Sequence, residues 1–284
     1  MKLKLETINE LQQTILILKD IYDDVRVIDP ISKKILLDKN FNVIENKLCY
    51  EICDFPKSCK NCIGMRAHNQ KKSFVKLSFV GEELFLITSI PKIIEDKLFI
   101  IEVFKLIEDI LVIDGLKFKN KAEVKNYVEE LDNVIIRDEN TEIYNKMYTY
   151  ERLPTDICLA KEYKKNIYIM MLEISKLENI EDIAMEFATF NAISSIERII
   201  NKNYDWISKI DENKFLIAVI RENVDMCDKV LHLIMEQLKE KSNKNNGLKY
   251  SLSYFNSRYD FNDTLEDSEQ LIKRIISSMK RYNV

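Results

Sequence analysis

Apolar positions fall at helical spacing in residues 5–20, where Leu5, Ile8, Leu11, Ile15 and Leu18 share one stripe and predict an amphipathic helix that needs a partner surface. From Val25 to about Glu108 the pattern shortens to β-rich runs: VRVIDP, KKILL, FNVIE, SFVKLSFVGEELFLITSIP and KLFIIEVFKLI. Turns such as Asp29-Pro30 and Gly81-Glu82 separate them, which predicts a compact antiparallel sheet. Residues 119–136 return to helical spacing, with Val124, Val128, Leu131 and Ile135 on one stripe. Beyond them the pattern predicts a helix through Leu153 to Tyr163, a strand over 167–174 and a helix over 182–202. A hairpin at DWISKIDENKF (205–215) follows, then a helix from Asp225 to Lys241, a strand over 248–255 and a last helix from Leu265. The fold class is α+β, in three parts: residues 1–110 with an antiparallel sheet, a connecting helix in 111–136, and a sheet flanked by helices in 137–284.

Composition narrows the function classes. A chain of 284 residues exceeds one average domain of roughly 150 residues, so two cores are expected. Hydrophobic content of 46%, charged content of 32% and a net charge of -4 describe a globular protein with no electrostatic bias toward nucleic acid. The apolar run Ile15 to Leu18 is too short for a signal sequence or a membrane span, so a cytoplasmic location without membrane partners is expected. With 4 glycines and no GxGxxG or GxxxxGK[ST] run, no phosphate-cradling loop is encoded.

The sharpest chemical signal lies in LCYEICDFPKSCKNCIGMRAHN, where Cys49, Cys53, Cys59 and Cys62 are spaced C-x3-C-x5-C-x2-C. Thiols this close fit a four-thiolate zinc site or an iron–sulfur cluster; reversible thiol redox and incidental buried cysteines fit as well. His68 reads as an ordinary polar surface residue rather than a substitute ligand. Cys158 and Cys227 sit in apolar helical contexts and read as core.

RDENTEIYNKMYTYERLP (137–154) resembles the opening segment of the GGDEF family, the diguanylate cyclase domains, with Asp138, Thr141, Tyr144, Asn145 and Lys146 in register. IYIMMLEISKLENIED is similar to the family's strand and turn, DWISKIDENKFLIAV to its signature hairpin, and LKYSLSYF to a later strand. The resemblance runs from about Arg137 to the C-terminus. It implies a fold in which two GTP molecules are joined by an attack on an α-phosphate, with divalent metal held by carboxylates. This chain departs from the pattern at the positions that chemistry uses. The first metal position is Glu173 and the second is Ser175; the signature reads Asp211-Glu212-Asn213-Lys214-Phe215, without glycines and with Asn213 and Lys214 at its acidic positions. A cation at ~4 Å from a metal costs several kcal/mol even at an effective dielectric of about 20, so magnesium is not expected. The phosphate-contacting pair is replaced by Leu177-Glu178 and the guanine-contacting Asn by Glu181. The family's product-binding inhibitory motif R-x-x-D is reduced to Lys202 and Asp205, and a lysine lacks the planar fork of arginine.

The first half resembles a PAS sensor domain, by its helix, its strand order and a cysteine insertion in the middle, although Lys57 and Ser58 separate Pro56 from Cys59. That resemblance implies signal reception coupled through the connecting helix, which commonly pairs with its twin in a homodimer. The expectation is therefore a non-enzymatic signalling protein in which a cysteine-bearing PAS-like unit drives an inactive GGDEF-like unit that binds an unidentified protein partner. The N-terminal helix and Trp206 are candidate partner surfaces, each set against packing on its own unit. The rival reading is a residual cyclase, a cyclic di-GMP site at Lys202 and Asp205, or a nucleotide-binding or phosphohydrolase site using Glu173, Asp211 and Glu212.

Overall fold

The computed structural model describes residues 5–44, 47–51, 59–108, 112–113, 116–117, 120–176, 181–244, 248–256 and 268–283. The chain divides into two compact units, Met1–Ile135 and Ile136–Val284.

Unit 1 opens with α1 (Leu5–Leu18), followed by β1 (Asp24–Ile28), β2 (Ile35–Leu37), α2 (Ile63–Gln70), β3 (Phe74–Val80), β4 (Glu83–Ile94) and β5 (Lys97–Leu106). The five strands form one antiparallel sheet in the order β2-β1-β5-β4-β3. Its central strand β5 is covered on both sides, which is why FIIEVF is nearly continuous in apolar residues. Phe99, Ile101 and Val103 face α1, where Leu11 and Ile15 are fully buried. Ile100 and Phe104 face the opposite way, toward Ala67 and Ile63 of α2. The α1 stripe thus finds its partner surface within unit 1. A two-residue ladder of β6 (Val112–Ile113) and β7 (Leu116–Lys117) precedes α3 (Lys121–Ile136), whose Val124 and Val128 pack on Leu84 of β4.

Two sequence expectations fail in unit 1. FNVIE forms no strand over its described residues: Val43 makes one isolated bridge to Leu37, because the Asp38 carboxylate accepts the backbone N–H groups of Asn40 and Asn42 and closes a local turn. Helix α2 was not announced by the sequence, because its single turn-and-a-half of buried residues offers too little period. His68 lies on that helix and is buried, not on the surface.

Unit 2 contains α4 (Lys146–Glu162), β8 (Asn166–Lys176), α5 (Asp182–Ile199), β9 (Trp206–Asp211), β10 (Lys214–Arg221), α6 (Val224–Lys244), β11 (Leu248–Asn256), α7 (Ser268–Ser277) and β12 (Lys280–Asn283). Its antiparallel sheet runs β12-β11-β8-β10-β9. Alternate residues of the central strand enter two separate cores. Tyr168, Met170, Leu172 and Ile174 pack under α5 and α6, while Ile167, Ile169 and Met171 pack under α4 and α7. A strand covered on both faces needs no polar alternation, hence IYIMMLEI.

Helix α4 begins at Lys146, well before Leu153, because the Asn145 side chain accepts the Tyr148 N–H at 3.1 Å and caps it. Pro154 sits inside the helix and masked its first turns in the sequence. Helix α5 stops at Ile199, short of residue 202, since Asp205 takes the Asn201 N–H at 2.7 Å and turns the chain. Strand β12 went unanticipated because KRYN has no apolar alternation. The expected start of the last helix at Leu265 lies outside the described residues. Cys227 is buried, as its context suggested, but Cys158 is only half-buried.

Candidate functional site

The segment leading into unit 2 is held by polar side chains working on the backbone. Asp138 accepts the Thr141 N–H at 3.0 Å and the Thr141 hydroxyl at 2.8 Å, and pairs with Lys209 at 3.3 Å. Burial pushes the Asp138 carboxyl up, but the Thr141 hydrogen bonds and the Lys209 charge outweigh it and hold its pKa below the usual 3.8. Tyr144 stacks on Tyr148 with ring centroids 3.7 Å apart, and Tyr148 meets Trp206 edge-on at 5.5 Å. Trp206 is buried and donates its indole N–H to Asp156 at 2.7 Å, while Arg152 pairs with Asp156 at 2.8 Å. Trp206 is therefore core, not a partner surface.

The hairpin of β9 and β10 carries the signature positions to one end of the sheet. Asp211 and Glu212 are exposed at its tip, where the Glu212 N–H donates to Asp211 Oδ1 at 3.0 Å. The Asn213 carbonyl accepts the Ile174 N–H at 3.0 Å and ties the tip to β8. Phe215 is fully buried and belongs to the core under α5 and α6.

Register decides what faces Glu173. It lies directly opposite Lys214 of β10 and opposite Ser251 of β11, and Ser175 lies opposite Lys249. Alternation puts Glu173, Ser175, Lys214, Lys249 and Ser251 on one face of the sheet, the side of α4 and α7, because their immediate neighbours face the other core. Lys214 thus stands in register between Glu173 and Asp211, and Lys249 stands opposite Ser175, where the family resemblance expects a carboxylate pair without cations. Among the described residues no group of three or more His, Cys, Asp or Glu side chains could hold a metal ion.

The remaining expected site residues are dispersed. Glu181 stands exposed just before α5 and makes no side-chain cap, while neighbouring Asp182 pairs with Lys176. Leu177 and Glu178 lie outside the described residues, as does Cys53. Lys202 is exposed and pairs with Glu197 at 3.3 Å. Asp205 is fully buried, pairs with Arg221 and accepts the Ile220 N–H at 3.1 Å. Lys202 and Asp205 therefore serve different partners. Lys249 is the site residue that sequence reading missed, although the polar alternation Lys249, Ser251, Ser253 in β11 carries the signal.

The cysteine motif in unit 1 places Cys49 in the core beneath α2 and Cys62 at the N-cap of α2, with Cys59 and Cys62 half-buried. A missed residue organises them: Lys33 donates its ammonium to Cys62 Sγ at 3.1 Å. Nearby, Arg26 and Glu102 form a buried cross-strand ion pair at 2.6 Å. No helix among the described residues is long and apolar enough to cross a membrane.

No family model matches this chain, and no curated protein does. Solved structures do match. A microbial GGDEF domain, described in a new mode of interaction with bis-(3′,5′)-cyclic di-GMP, is 18% identical, with a TM-score of 0.41 over 50% of this chain and 88% of its own. The coiled coil and GGDEF domain of DgcB from Caulobacter crescentus, in complex with c-di-GMP, is 13% identical, with a TM-score of 0.44 over 55% and 84%. The diguanylate cyclase SiaD from Pseudomonas aeruginosa, in complex with its activator SiaC, is 14% identical, with a TM-score of 0.43 over 55% and 61%. Each aligns with about half of the chain.

Proposed function

We propose that this is a two-unit signalling protein of the cyclic di-GMP type, in which unit 2 is a GGDEF-like domain that performs no nucleotide chemistry and acts by binding a protein partner. The observation that carries the reading is the placement of Lys214 and Lys249 opposite Glu173 and Ser175. A magnesium nucleotide needs carboxylates converging on one metal; here Lys214 lies in register between Glu173 and Asp211, and it and Lys249 oppose metal approach. The diversion of Lys202 to Glu197 and of Asp205 to Arg221 removes the inhibitory nucleotide site in the same way.

Unit 1 is read as a PAS-like sensor, supported by its strand order β2-β1-β5-β4-β3 with α2 inserted between β2 and β3. Self-association through α3 is supported by Leu131, Val134 and Ile135, which remain exposed where Val124 and Val128 are covered. Output by protein contact is supported by α5, whose Ile183, Phe187 and Phe190 recur at helical spacing and are 76%, 69% and 56% exposed.

Calorimetric titration of the purified chain with GTP in magnesium buffer tests the reading. No magnesium-dependent binding is expected. Saturable, magnesium-dependent GTP binding that Glu173→Ala removes would overturn it.

A further inference from the structure

The turn between β1 and β2 is built to bury a cation. Asp29 accepts the backbone N–H groups of Ile31 at 3.0 Å and Ser32 at 3.3 Å and the Ser32 hydroxyl at 2.8 Å, which fixes the turn. Lys33 then adopts the left-handed region at φ 62°, a conformation unfavourable for a non-glycine residue. The result is a lysine only 2% exposed, whose ammonium donates to Cys62 Sγ at 3.1 Å and also faces Cys49 and Cys59.

A buried ammonium needs an opposite charge close by. Burial, followed by the neighbouring Glu102 carboxylate, pushes the Cys49 thiol well above its usual range, so Cys49 stays a neutral thiol. Burial also opposes the charge on Lys33, yet the pull of the sulfurs, Cys62 first, and the Cys62 hydrogen bond keep its pKa above the usual lysine value. Cys62 is the sulfur in hydrogen-bond contact, it stands at the N-terminus of α2 where backbone N–H groups add positive potential, and it is half-buried rather than sealed.

We propose that Cys62, held against the buried Lys33 ammonium, is a peroxide-reactive thiol that closes a reversible disulfide with Cys59. Cys62 gives its proton to solvent as its sulfur attacks the terminal oxygen of a hydroperoxide; an S–O bond forms, the O–O bond breaks, and the departing alkoxide or hydroxide takes a proton from solvent. The Cys59 sulfur then attacks Cys62 Sγ; an S–S bond forms, the S–O bond breaks, and the hydroxyl leaves as water with the Cys59 proton. Two thiols lose two electrons in total, and one hydroperoxide is reduced to an alcohol or water plus a second water. Lys33 is a positioning residue in this step.

The loop between these cysteines is also a mechanical link. Asn61 is buried, donates its side-chain amide to Asp132 of α3 at 2.6 Å and accepts from Arg66 at 2.7 Å, while its carbonyl accepts from Lys76 at 3.0 Å. Closing a disulfide across Asn61 acts on the residue that anchors α3. This gives the sensing role proposed for unit 1 a chemistry, and the test reads thiol reactivity without any nucleotide, so its failure leaves the reading of unit 2 untouched.

The reduced full-length chain is treated with limiting hydrogen peroxide, or with iodoacetamide at neutral pH, and each cysteine is followed by peptide mass spectrometry. Cleavage after Lys60 separates Cys59 from Cys62, so their disulfide reads as a linked peptide pair. Cys62 is expected to react about tenfold faster than half-buried Cys158 at neutral pH, to yield the Cys59–Cys62 pair with peroxide, and to revert with dithiothreitol. Lys33→Met should slow Cys62 about tenfold at neutral pH, while Lys33→Arg, which keeps the cation, should hold the rate within about twofold. Protection of buried Cys49 reports whether that variant has kept its fold; if it has not, the ranking of Cys62 against Cys158 in the unaltered chain decides. Equal rates for Cys62 and Cys158, an unchanged Cys62 rate in folded Lys33→Met, or stoichiometric zinc or iron that shields Cys62 until it is chelated would each overturn the proposal.

Discussion

The two ends of the unit 2 sheet treat their polar residues in opposite ways. At the end where β8 begins, Asp205, Arg221, Asp156 and Trp206 are largely buried, and each has a directed partner at hydrogen-bond distance. At the end where β8 finishes, Glu173, Asp211, Glu212 and Lys214 stand in or near solvent, and Lys214 lies opposite Glu173 and Asp211 in register. The first arrangement fixes a fold; the second fixes nothing and, in the reading proposed above, no longer binds metal. The residues that match the GGDEF pattern here, Asp138, Thr141, Tyr144 and Asn145, are those that cap and brace backbone. In the reading proposed above, the departures fall on residues that the resemblance would assign to ligand contact.

That contrast is sharpest at Asp205. Asp205→Ala would strand the mostly buried Arg221 guanidinium and the Asn201 and Ile220 N–H groups, with an expected loss of about 3–5 kcal/mol in urea unfolding of unit 2. A loss under 1 kcal/mol would break the comparison. Trp206→Phe should cost roughly 1–3 kcal/mol, because Asp156 loses the indole donor in a buried site. As Trp206 is the single tryptophan, its emission in the native chain should be blue-shifted and should move red only as unit 2 unfolds.

Asp138 should give a smaller, pH-dependent effect. Its pKa is lowered in the folded chain, so its contribution is present above the unfolded value of about 3.9 and is lost as pH falls through the folded value. Asp138→Asn should cost about 1 kcal/mol at pH 7 and little at pH 2, measured by urea unfolding at both. The least effect belongs to the other end of the sheet: Lys214→Gln should change stability by no more than about 0.5 kcal/mol, since its neighbours are solvated.

Much of this was legible in the sequence, for reasons the two ends also explain. Continuous apolar runs such as IYIMMLEI and FIIEVF marked strands buried on both faces, and both strands formed. Elements governed by side-chain-to-backbone bonds were misread: the Asp38 turn replaced a strand, the Asn145 cap started α4 early, and α2 was too short to show a period. At the candidate site, the substitutions were visible residue by residue, but the pairing of Lys214 with Glu173 and of Lys249 with Ser175 is a property of register. Lys33 could not be found at all by pattern, because a lysine in KKILL reads as solvated until the turn aims it inward.

The most direct test of the central claim is turnover. Purified full-length protein, incubated with GTP and magnesium and assayed by chromatography for cyclic dinucleotide and for released phosphate or pyrophosphate, should yield none of them above a protein-free control. Sustained product formation that disappears in Glu173→Ala would contradict the account.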